Sequence, residues 1–108
     1  MGSVNKRIAK VLRDARALLA KRGGWGQGNF AYNSLGFPEM IGSSHAVCFC
    51  SMGAIKKVAP TNDDAQNACL AVANTLAGRN IIDWNDQPGR RKAQVLAAFD
   101  NAIAACEA

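Results

Sequence analysis

Ala46-Val47-Cys48-Phe49-Cys50-Ser51-Met52-Gly53-Ala54-Ile55 is the stretch on which the reading of the fold turns. It carries no charge, and its apolar residues occur all round a helical projection. A helix that is apolar on every side is buried, so the run predicts a helix at the centre of the fold. Ser43 or Ser44 supplies a capping hydroxyl at its start, and the helix is expected to reach about Val58. Gly53 inside it lets another element approach the backbone closely.

Outward from this run the pattern becomes amphipathic. Val4, Ile8, Val11, Leu12, Ala15, Leu18 and Leu19 recur at three- and four-residue steps, which predicts a first helix from Val4 to about Lys21 with its cations on the opposite face. Gly23-Gly24 stops it. Downstream, Pro60 closes the central helix, and Thr61-Asn62-Asp63-Asp64 offers a capping hydroxyl followed by acids in a first turn. The third helix runs to about Ala77, with Ala65, Ala68, Cys69, Val72, Ala73 and Leu76 as its stripe, and Gly78 ends it. Asn80 to Gln87 reads as an extended connection anchored by Ile81, Ile82 and Trp84. Asp86 is expected to cap a fourth helix with Pro88 in its first turn, burying Val95, Leu96, Phe99, Ala102, Ile103 and Cys106.

Residues 23–43 have no helical period and are rich in glycine and asparagine. Phe30-Ala31-Tyr32 and Phe37-Pro38-Glu39-Met40 make two short strands about an Asn33-Ser34-Leu35-Gly36 turn; an open loop is the alternative. The expectation is therefore a mainly α, four-helix single domain over residues 1–108. An irregular or short β-hairpin insert lies between the first and second helices.

Composition agrees with that class. The chain has 108 residues, 49% of them hydrophobic and many of those alanine, enough to fold on an apolar core. No run approaches the ~18 apolar residues of a membrane span. The polar start lacks the apolar region of a secretory signal, so a cytoplasmic protein with four reduced thiols is expected. Residues 1–22 hold seven cations against the single anion Asp14, a net +6 within a chain total of +5. The basic character belongs to the first helix, and it points to an acidic partner or nucleic acid.

His45, Cys48 and Cys50 invite a zinc reading, but a closed site needs four ligands. On a helix, Cys48 and Cys50 would point about 200° apart. The cysteines are therefore read as small buried hydrophobes, with no metal and no cofactor. His45 and Cys48 would share a helical face as a catalytic pair, yet a reactive thiol needs a partly open, thiolate-stabilising setting. The apolar run offers none, so no catalytic residue is assigned and the protein is read as a non-enzyme. Asp83, Asn85 and Asp86 resemble paired carboxylates for acid–base work; a helix entry, with Asp86 accepting from the Gly89 amide, explains them more simply.

Trp25 and Trp84 either stack on a ligand or plug gaps between helices with their N–H groups bonded; the plug is preferred. Arg90, Arg91 and Lys92 fall in the first turns of the fourth helix, where cations oppose the helix dipole. Arg90 is expected to turn back onto Asp83 or Asp86. Arg91 and Lys92, with Gly89, form a candidate anion site. Trp25, Tyr32, Trp84, Arg90, Arg91 and Lys92 are thus the candidate binding residues. Lys6, Lys10 and Arg13 share one stripe and are the alternative, a nucleic-acid contact through phosphates, against the plainer reading of a solvated face.

The ordered set Gly24-Trp25, Gly28, Cys50-Ser51-Met52-Gly53-Ala54-Ile55, Ile82-Asp83-Trp84-Asn85-Asp86, Pro88-Gly89-Arg90 and Val95-Leu96 resembles a family of small uncharacterised proteins of bacteria and their phages. The likeness spans roughly residues 8–104. It implies a shared fold and no activity, the family being a domain of unknown function. Arg91 departs from the family pattern, where a small polar residue is common, and so does the unusually basic first helix.

Function is read in three classes. The first is a non-catalytic binding or regulatory module with an unknown protein partner. The insert favours it, because loops held on a rigid scaffold carry binding surfaces. The alternatives are a weak nucleic-acid binder through the first helix and an enzyme with an unrecognised site.

Overall fold

Helix α1, Ser3–Ala20, buries Ile8, Val11, Leu12, Ala15 and Leu19, the stripe its spacing predicts, in a computed structural model that describes residues 3–108. Met1-Gly2 and the side chains of Ser3 and Val4 lie outside the described residues, so the stripe is followed from Ile8 onward. Strands β1 (Ala31–Tyr32) and β2 (Cys48–Phe49) come next. Helices α2 (Ser51–Val58), α3 (Asn62–Thr75), α4 (Ile81–Asp86) and α5 (Lys92–Glu107) complete the order.

The chain is mainly helical, with a small two-stranded antiparallel sheet between α1 and α2. Helices α1 and α5 form the most extensive helix pair, and α1 also packs on α2 and α3. Leu12, Leu19, Phe49, Ile55, Val72, Val95 and Phe99 are fully buried where these elements meet. Among the described residues no helix is long and apolar enough to cross a membrane.

Ion pairs set the direction of the α1–α5 pair. Arg13 pairs with Glu107, Arg16 Nε lies 2.6 Å from Asp100 Oδ1, and Lys92 Nζ donates to the Lys21 carbonyl at 2.6 Å. As residue numbers rise along α1 they fall along α5, so the two helices are antiparallel.

Three local expectations are corrected. First, the uncharged run is not one helix. Residues 48–49 are β2, and α2 starts only at Ser51, with the Cys50 Sγ accepting from the Gly53 amide at 3.3 Å. Ser43 does not cap a helix; its Oγ accepts from the His45 amide in a turn. A short apolar run has no period that separates strand from helix, and within β2 Phe49 is buried while its neighbour Cys48 is half-buried, as successive residues on opposite faces of a strand are.

Second, the hairpin forms only in part and gains a further partner. The Asn33–Gly36 turn forms: the Gly36 amide donates to the Asn33 carbonyl at 3.0 Å, and Asn33 Oδ1 accepts from the Leu35 and Phe37 amides. The 37–40 segment returns along β1 about a Tyr32–Pro38 bridge, with the Asn33 amide donating to the Phe37 carbonyl at 2.8 Å and the Glu39 amide to the Ala31 carbonyl at 3.0 Å, but this pairing goes no further. On its other edge β1 pairs with β2 in the register Ala31↔Phe49 and Tyr32↔Cys48.

Third, the 80–87 connection is a helix, which raises the helix count to five. Asn80 Oδ1 accepts from the Ile82 and Asp83 amides, a cap with an acid in the first turn. Asp86 therefore ends α4 and does not begin the last helix. Pro88 and Gly89 sit in the turn that follows, Gly89 at a φ of 85°. Helix α5 then starts at Lys92, and Gln94 Oε1 accepts from the Arg91 amide at 2.9 Å.

Gly53 does serve a close approach. A Cβ there would sit 2.0 Å from the Phe30 carbonyl oxygen, so α2 lies against the backbone that leads into β1.

Candidate functional site

The glycine-rich start of the insert is held by backbone bonds to Phe49 of β2 and by one buried amide. Asn85, in α4, is fully buried. Its Oδ1 accepts from Trp25 Nε1 at 2.8 Å, from the Ser51 amide at 3.0 Å and from the Ser51 hydroxyl. Its Nδ2 donates to the Gly26 carbonyl at 3.1 Å and to Asp86 Oδ1 at 2.9 Å. An indole N–H only donates, so Trp25 fixes which way the amide faces. Asp86 Oδ1 also accepts from the Gly28 amide, and Gln27 Nε2 donates to the carbonyls of Asn85 and Gln87. Residues 25–28, the first residue of α2 and the end of α4 are thus joined through a single side chain.

Most of the candidate binding residues are spent inside this construction. Trp25 and Trp84 fill gaps, and Trp84 is buried. The Tyr32 hydroxyl donates to the Gln27 carbonyl. Arg90 does not reach Asp83 or Asp86. Its guanidinium lies 4.0 Å from the Trp84 ring centre, while Nε donates to the Trp84 carbonyl and Nη2 to Gln87 Oε1, both at 2.8 Å. The aromatic face and a carbonyl at the C-terminal end of α4 offer a cation more than an exposed carboxylate does.

Lys92 resolves the dipole conflict differently from Arg90. It begins α5, where a cation is unfavourable, but its ammonium caps the carbonyl that closes α1, where a cation is favourable. Arg91 is exposed.

The basic face of α1 is largely paired. Arg7 meets the buried carboxylate of Asp64 at 2.6 Å, Lys10 meets Asp14 at 2.8 Å, and Arg13 and Arg16 reach α5. Within the Lys6, Lys10 and Arg13 stripe, only Lys6 is without an ion pair among the described residues.

The helical geometry assumed for His45, Cys48 and Cys50 does not hold. His45 is in an exposed turn, Cys48 in β2, and Cys50 at the α2 cap. Among the described residues no three His, Cys, Asp or Glu side chains gather as a metal site. Burial pushes all four thiols up, Cys69 to about 11, which works against thiolate formation.

The second half of the insert is of the opposite character. Leu35 and Met40 are 79% exposed and Phe37 63%, and Phe30 and Val47 also face solvent. Sequence reasoning stressed the tryptophans and Tyr32 and passed over these residues. The available signal was Leu35 inside a turn and Phe37 beside Pro38, apolar side chains where turns are ordinarily polar.

A family model described as "Family of unknown function (DUF6197)" matches residues 3–105. No curated protein and no solved structure matches the chain.

Proposed function

The chain belongs to this family of unknown function, and we propose that it works as a non-catalytic binding module whose docking surface for a protein partner is the tip of the insert. One observation carries the reading. Among the described residues six large apolar side chains face solvent; Phe30, Leu35, Phe37, Met40 and Val47 lie between residues 30 and 47, and Leu70 lies elsewhere. Exposed apolar residues concentrated on one segment mark interaction surfaces. The Asn85 knot below supplies the rigid base that a binding loop requires.

An enzyme has less support. The thiols are pushed away from the nucleophilic form. Asn85 and Asp86, read from the sequence as a possible acid–base group, are engaged in holding the scaffold. A nucleic-acid contact through α1 has lost Arg7, Lys10, Arg13 and Arg16 to ion pairs.

The test compares the parent protein with a Leu35→Ser, Phe37→Ser, Met40→Ser triple variant, as bait in extracts and in sedimentation alone. The expected result is a protein captured by the parent and lost by the variant, with equal melting temperatures. Capture that survives the triple change, or that tracks the α1 cations and collapses with added salt, overturns the reading.

A further inference from the structure

One cleft lies outside both the insert tip and the Asn85 knot. It opens between α2, α3 and the 78–81 connection, with a volume of about 470 Å³. Small-molecule sites run to roughly 300–1,000 Å³ and are mostly apolar with a few placed polar groups. This cleft fits that description. Met52, Ala65, Cys69, Leu70, Ala73 and Ile81 line it, and Leu70 stays 52% exposed on α3 with its apolar face towards solvent.

Its charge is one-sided. Lys56 and Arg79 line the cleft and no acidic residue does. Neither has an ion-pair partner among the described residues. Lys56 sits 5.0 Å over the Phe30 ring, which holds the ammonium without neutralising it. Burial pushes the Cys69 thiol up, and the same ammonium acts in the opposite direction on this lining residue. Arg79 follows a turn in which Ala77 and Gly78 both take left-handed backbone conformations, at φ of 58° and 77°, and the Gly78 amide closes the end of α3 on the Ala73 carbonyl. That turn, costly for an alanine, sets the arginine at the edge of the cleft.

We propose that this cleft binds a small amphipathic carboxylate, its apolar body on the Met52, Cys69, Leu70 and Ile81 surface and its head held by Lys56 and Arg79. An uncharged apolar occupant would leave two cations facing a desolvated wall. A carboxylate matches the planar arginine fork and offers the lysine a counter-charge.

The experiment titrates the full chain with decanoate and, separately, with uncharged decanol, followed by backbone amide shifts. Decanoate is expected to bind about tenfold more tightly than decanol, since two exposed ion pairs together are worth roughly that factor. Shifts should cluster on α2, α3 and residues 78–81. Lys56→Gln with Arg79→Gln should bring decanoate down to the decanol affinity and leave decanol unchanged. Both side chains are exposed, so the variant should fold, and its melting curve checks this. Decanoate should also slow alkylation of Cys69 by iodoacetamide in the parent. Equal affinity for the two probes, undiminished decanoate binding by the double variant, no saturable binding, or shifts confined to residues 35–47 would each overturn the assignment.

Discussion

The two halves of the insert are built from similar residues and do opposite things. Residues 25–28 place a tryptophan among glycines and bind it inward, through Asn85, to α2 and α4. Residues 35–47 place Leu35, Phe37, Met40 and Val47 outward, while backbone bonds from Glu39 and Val47 to β1 and the core residue Ala46 hold the segment in place. An aromatic residue in a glycine-rich loop is thus no guide to function until its polar atoms are accounted for. Trp25 has an N–H that must be satisfied when removed from water, and the fold supplies Asn85. Phe37 has nothing to satisfy, so its exposure is the informative fact.

The comparison breaks most sharply at Asn85. Replacing it with leucine leaves the Trp25 indole and both Ser51 donors unpartnered in the interior. The expected loss is about 3–5 kcal/mol, read from urea unfolding. A loss below about 1 kcal/mol would mean that water replaces the amide and that the knot is not the anchor.

Gly53→Ala follows, at about 3 kcal/mol, because the added methyl collides with the Phe30 carbonyl. In an exposed helix the same change would gain about 1 kcal/mol, so the sign of the measured difference decides whether α2 truly abuts the insert. Arg90→Gln removes the guanidinium stacked on Trp84 and its two hydrogen bonds, and should cost about 1–2 kcal/mol in the same assay. A neutral result would place Arg90 on the solvated side of the comparison. The smallest effect is expected at the tip. The Leu35, Phe37 and Met40 serine triple should change stability by no more than about 0.5 kcal/mol while abolishing partner capture. A large loss of stability there would show that the tip packs as part of the fold.

How much of this was legible in the sequence depended on range. The α1 stripe and the Thr61 start of α3 were readable because their signals lie within a turn or two: a 3.6-residue period and a hydroxyl accepting the Asp64 amide at 3.1 Å. The 46–55 run was misread because an apolar stretch with no polar face has no period, and the pairing that made Cys48–Phe49 a strand comes from Ala31–Tyr32. Asn80 was a local cap signal, overlooked beside the more conspicuous Asp86 and Pro88. Asn85 was beyond reach. Its partners Trp25, Gly26 and Ser51 are 34 to 60 positions away, and nothing local distinguishes an amide that joins three segments from one in a turn. The exposed tip was legible only from turn chemistry, as apolar Leu35 and Phe37 at positions where turns are ordinarily polar, since periodicity finds the residues that are covered and is silent on apolar ones left bare.

The antiparallel pairing of α1 with α5 also orders events in time. α1 is made early and its chief partner late, so during synthesis its apolar stripe waits for the far end of the domain. Contacts that span most of a chain slow folding, because the intervening loop must close before they form. Arg13 and Arg16 bear on that interval. Their partners Glu107 and Asp100 belong to α5, so until it emerges these cations keep one face of α1 hydrated and mutually repelling. When the last helix arrives, the same charges become the guide for its register.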